Sequence, residues 1–222
     1  MLLGTRSTHG WPLAFGLSGL LLFVGGPLHP RPDTTLDFFH STASMLADPG
    51  WVPWHALMLA SFAMLLLGLI GLVRSGRLSG RAAAAVRVAV AGTILGVVES
   101  VFHLASVADT AALSAGGPTP VLSAHLTLAI AAYPLMGFPL AALAWLGGRH
   151  LSHPLLSMVG VLGGILHGMA APVVVLTQNQ RFTFLFQGAV LLAIWLIAVG
   201  LAHLRTLWQR RAPARGPELA AE

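Results

Sequence analysis

Five side chains carry most of the chemical potential of this sequence: His55, Glu99, His103, His125 and His167. Each falls inside a long apolar stretch, where an ionisable group costs several kcal/mol unless it is paired. Glu99 and His103 are spaced i, i+4, which places a carboxylate and an imidazole on one helix face. Such a pair can share one metal ion, as related i, i+3 pairs do in bundle metalloproteins. The chain contains no Cys. Thiolate ligation is therefore excluded, and the remaining nitrogen and oxygen donors suit Zn, Cu or Fe.

The same residues allow three other chemistries. Two His on different helices can be axial ligands to a b-type haem. His55 with His125 is the natural pair because both lie at similar depth. His103 with His167 is a poorer pair because their depths differ. The general arrangement is similar to that of bis-His membrane cytochromes. Alternatively, the cluster is a proton or ion relay open to the outer side. In the last reading the imidazoles bond to one another, to Glu99 or to backbone carbonyls, and only hold helices together. His29, with Asp37 and His40 in the loop that follows it, is an accessory set that could complete the site or guide a ligand in. Met58 and Met169 read as packing residues. His150, His153 and His203 sit at the opposite ends of their spans, too far away to join.

The elements that must position these groups are membrane spans. The chain has 222 residues, of which 56% are hydrophobic and only 9% charged, against about 25% charged in a soluble domain. A spanning helix needs about 20 apolar residues. Six stretches fit: 11–28, 51–73, 88–108, 121–146, 154–177 and 182–204. At about 1.5 Å per residue, His55, His103 and His125 lie roughly 6–9 Å below the outer boundary. Glu99 and His167 lie about 15 Å in, near the midplane. The long loop 29–50 should carry a short interfacial helix between Asp33 and Asp48, ended by Pro49 and Gly50. Trp51 and Trp54 mark the interface where the second span begins. The tail 209–222 is polar and Pro-bearing, and reads as disordered.

Arginine sets the orientation. Ten of the 12 Arg (6, 74, 77, 81, 87, 149, 205, 210, 211 and 215) fall at one set of ends, and only Arg31 and Arg181 at the other. The positive-inside rule then puts both termini in the cytoplasm, with loops 29–50, 109–120 and 178–181 outside. The net charge of +5 is a topology signal whose partners are anionic lipid headgroups, and nucleic acid is not implied.

A repeat is also visible. Gly92 to Glu99 aligns with Gly160 to His167, matching Gly92 to Gly160, Gly96 to Gly164 and Glu99 to His167. His55 and His125 correspond in the preceding spans. Spans two to five thus read as a duplicated helical hairpin forming a four-helix core, related by a pseudo-two-fold axis along the membrane normal and flanked by spans one and six. The glycines let helix backbones approach closely and share faces with the ionisable groups.

Several function classes are absent. Without Lys there is no Schiff-base chemistry. There is no phosphate-binding Gly-rich loop, nucleophile elbow or His-Glu-x-x-His motif, and no soluble domain to hold a nucleotide. The reading that remains is an all-α polytopic membrane protein with an intramembrane His/Glu site near the outer face. That site binds a transition metal or haem b for redox chemistry, such as electron transfer with a quinone, which would make the chain a membrane oxidoreductase or electron-transfer subunit. The alternatives are a small-ion or metal transporter using the same residues, and a non-catalytic subunit packed on a partner membrane protein.

Overall fold

The computed structural model describes residues 10–211, and the described residues are mainly helical, with no strand among them. The elements are α1 (Trp11–Gly25), α2 (Phe38–Leu46), α3 (Trp51–Arg74), α4 (Gly80–Ala105), α5 (Thr110–Ser114), α6 (Pro120–Gly147), α7 (Pro154–Thr177) and α8 (Gly188–Arg211). Short 3-10 segments cover Ser106–Asp109, Gly148–His150 and Gln180–Gln187. Helices α3, α4, α6, α7 and α8 are long and apolar enough to cross a membrane. Large apolar side chains stay exposed on their outer faces, among them Leu67, Val98, Phe138, Leu162, Ile165 and Leu201. A collar of this kind is untenable in water and fits lipid. These five helices are compatible with an integral membrane protein.

Several expected boundaries move. The first span stops at Gly25 instead of residue 28, where Gly26 and Pro27 interrupt it. Its 15 residues reach about 22 Å, short of a full bilayer core. It nevertheless runs along most of α3, because Trp11 packs at Gly71 and Gly25 packs at Trp54 and Met58. The third helix begins at Gly80, eight residues before the expected span, since Arg81 and Arg87 extend past the apolar part. Residues 182–187 lie in a 3-10 segment before α8. Helix α8 carries on through residues 209–211, where a disordered tail was expected. The rest of that tail, 212–222, and Arg6 lie outside the described residues.

The first loop does hold a helix, α2. Asp37 caps it by accepting from the amides of Phe39 and His40 at 3.0 and 3.1 Å. These donors, the His40 amide first, hold the Asp37 carboxyl below its usual range. The helix buries Phe38, Ser41, Thr42, Ala43 and Leu46 and packs on α5.

The long helices pack in chain order and then close on themselves. Helix α1 lies against α3, α3 against α4, α4 against α6, α6 against α7, α7 against α8, and α8 returns to α1. One core fills this ring, with Trp11, Phe15, Phe62, Leu69, Met136, Leu140 and Trp195 in contact. The expected four-helix core with flanking spans is therefore replaced by a six-helix ring in which α1 and α8 are full members. The packing also departs from the expected two-fold. That axis would set α7 against α3 as α4 lies against α6, but α7 packs chiefly on α6 and α8. The matching glycines accordingly meet unlike partners: Gly92 meets the Leu135 backbone, and Gly160 meets Trp195 and Ala144.

The α4–α6 contact is tightest at Gly92, where an added Cβ would sit 1.9 Å from the Leu135 carbonyl oxygen. Gly16 on α1 has open space at the same position. Gly92→Ala should therefore destabilise the fold by at least the 1–3 kcal/mol typical of overpacking, since backbone must move. Gly16→Ala should be neutral or stabilise by up to about 1 kcal/mol through helix propensity. Thermal melts of both variants in detergent check this contrast, and equal melting temperatures would contradict it.

Candidate metal centre

The ends of four elements meet where the His residues gather. Helix α4 supplies Glu99 and His103 one turn apart, α6 supplies His125 near its start, α3 supplies His55 in its second turn, and the segment after α1 supplies His29. Asp109 sets the beginning of α6, because its carboxylate accepts from the buried Leu122 amide at 2.8 Å. That bond ties the end of the α4 segment to the first turn of α6, three residues before His125.

Glu99 is fully buried, and His125 beside it and His55 are buried as well. His125 Nδ1 lies 2.8 Å from Glu99 Oε1, and His103 Nδ1 lies 3.8 Å from the same oxygen. Neither His125 Nδ1 nor Glu99 Oε1 has a hydrogen-bond partner, so the close pair is not aligned as N–H···O. Donor atoms spaced like this suit neighbouring positions around one ion at about 2.0–2.2 Å. Glu99, His103 and His125 form one group whose ligand atoms all lie within 4.8 Å of each other, and His29, His55 and His103 form a second.

The orientation of the second group is set by backbone carbonyls. His55 Nδ1 donates to the Trp51 carbonyl at 2.6 Å, which leaves its buried Nε2 without a partner. His29 Nδ1 donates to the Pro30 carbonyl at 2.6 Å. A ring nitrogen bonded to a carbonyl settles the tautomer and turns the other nitrogen's lone pair outward, as is usual for metal-ligating His. Burial holds the His29 pKa below its ordinary value, which favours the neutral, ligating ring. Trp51 covers the group, with its rings 3.9 Å from His55 and 5.2 Å from His103.

The imidazoles touch directly. His103 stacks on His125 at 4.0 Å with a 16° interplanar angle, and stands 4.3 Å from His55. His103 thus lies between the two rings expected to be axial haem ligands. A porphyrin between His55 and His125 would require His103 to leave. The donor set fits a bare ion without that rearrangement.

Four of the five expected residues meet, and His167 does not. It is buried on α7 against Tyr133 at 4.8 Å and Phe62 at 6.3 Å, with both ring nitrogens unpartnered. Helix α6 stands between α7 and α4 in the ring, so Tyr133 occupies the place through which His167 would have approached Glu99. Of the accessory set, only His29 joins. Asp37 and His40 bind each other at 2.5 Å on an exposed turn of α2, outside both groups. Sequence reasoning undervalued His29 and missed Trp51 and Asp109 as site residues. The only signal for them was proximity to span ends, because a loop's fold-back is not written in helical spacing.

Asp109→Ala should destabilise the protein by about 1–2 kcal/mol through loss of a buried hydrogen bond, and should also weaken metal binding by shifting His125. Asp109→Asn keeps an acceptor and should retain most of both. Denaturant unfolding in detergent with parallel metal titration checks this, and a tight-binding Ala variant would overturn the positioning role. No family profile matches the chain, and neither a curated protein nor a solved structure resembles it detectably.

Proposed function

We propose that this chain is a multi-pass membrane metalloprotein that binds Zn, Cu or Fe at the His-rich end of its helix ring. The observation that carries the reading is the convergence of Glu99, His103 and His125 with His29 and His55 from distant parts of the sequence. Unpartnered buried donors are expensive in a low-dielectric interior. A cation bound at Glu99 Oε1 and His125 Nδ1, or one bound at His55 Nε2, removes that cost by taking their lone pairs, since all three atoms lack partners.

The Arg skew supports a cytoplasmic position for the opposite end and for both termini, and with it a centre in the outer half of the membrane. A redox-active Cu or Fe there lies within reach of a lipid-soluble carrier, so electron exchange with a quinone or a partner membrane subunit is the role we favour. A second reading, metal or proton transfer, is favoured by His167 and Tyr133, whose buried polar groups continue inward from the α4–α6 interface.

Protein purified in mild detergent should retain at least one transition-metal ion per chain and show no Soret band. The double variant Glu99→Gln, His125→Ala should lower affinity by well over the 10–100-fold typical of losing a supporting interaction alone. His167→Ala should leave binding intact. Binding should weaken only as pH falls below the ordinary imidazole range, because burial keeps the His29 ring neutral down to lower pH before protons compete for its nitrogen. Equal metal content in the wild type and the double variant would sink the metal reading. Metal-dependent flux in liposomes, lost in His167→Ala, would select transport over electron transfer.

A further inference from the structure

We infer that the centre is dinuclear, with His103 as the ligand shared by two metal ions. This rests on the metal-binding reading above and gives it a stoichiometry. The five donors do not gather into one shell. They divide into two triads, His29–His55–His103 and Glu99–His103–His125, which have only His103 in common. One imidazole carries two ring nitrogens whose lone pairs diverge, so a single ring can sit in two coordination spheres.

The surroundings of His103 match that role. Its Nδ1 faces Glu99 Oε1 at 3.8 Å, and its ring touches His125 on one side and His55 on the other. Unlike His29 and His55, it makes no hydrogen bond from a ring nitrogen to a backbone carbonyl among the described residues, so neither nitrogen is committed. The two triads also differ in construction. One is held by the carbonyls of Pro30 and Trp51, and the other by the Glu99 carboxylate. Each supplies three protein ligands, the count of metal sites that keep a position open for water or substrate. A second ion would bond the remaining ring nitrogen of His103 with loss of its proton to solvent, and the deprotonated ring would offset part of the positive charge that two ions bring into a buried site.

The test uses the full chain in detergent, with His150, His153 and His203 replaced by Asn to remove sites at the other end. It is titrated with Cu(II) alone, desalted, and read by metal analysis and electron paramagnetic resonance. Two ions per chain with a spin-coupled signal are expected. His29→Ala should reduce this to one uncoupled ion held by Glu99, His103 and His125. His103→Ala should abolish coupling. One ion per chain in the parent would overturn the dinuclear centre while leaving the metal reading intact, and no ion would overturn both. Two ions retained in His29→Ala would place the second ion elsewhere and also overturn the proposal. The parent stoichiometry decides the matter even if a variant fails to fold.

Discussion

The contact of α4 with α6 at Gly92 is the constraint on which the site depends. With no Cβ at residue 92, the helix backbone meets the Leu135 carbonyl, and Gly96 lets Met136 lie close in the next turn. One and two further turns along the same face bring Glu99 and His103 to the level of His125. A wider helix separation would leave the carboxylate alone in an apolar interior. The close approach instead holds it 2.8 Å from an imidazole. Packing and candidate site are thus one arrangement, since the stripe that permits contact is the stripe that carries Glu99 and His103.

Around that contact the molecule spends few of its polar groups freely. Serine and threonine hydroxyls inside the helices mostly return to carbonyls of their own helix, as Thr93 does to Ala89. Ser18 and Ser61 bind each other across α1 and α3. Against this background the unpartnered atoms are concentrated: His55 Nε2, Glu99 Oε1, His125 Nδ1, both nitrogens of His167 and the nearby Trp51 Nε1 account for most of the buried orphans among the described residues. Such groups cost about 1–3 kcal/mol each when left unmade. Three of these atoms, His55 Nε2, Glu99 Oε1 and His125 Nδ1, belong to residues of the two His/Glu groups, and those of His167 lie apart from them.

Closure of the ring sets who can take part. Because α1 packs on both α3 and α8, the segment following α1 is carried back over the start of α3, which brings His29 to within 4.6 Å of His55. Because α6 separates α4 from α7, His167 meets Tyr133 instead of Glu99. The internal repeat suggested an equivalence of Glu99 and His167 that the packing breaks. Similar Gly spacings serve different neighbours on the two helices, since small residues permit close approach without specifying a partner.

The sequence by itself determined the class of fold and the kinds of donor atom at the candidate site. Long apolar stretches suit membrane-spanning helices, the few ionisable groups within them are costly unless they face protein, and the absence of Cys leaves nitrogen and oxygen donors. It also located Glu99, His103, His125 and His55, because helical rise converts residue number into depth. Only the tertiary structure decided which groups at similar depth are neighbours. Depth is one coordinate, and the order of helices around the ring is another that hydrophobic periodicity does not encode. That second coordinate brought His29 in, left His167 behind Tyr133, set Asp37 and His40 outside, and placed His103 between two triads.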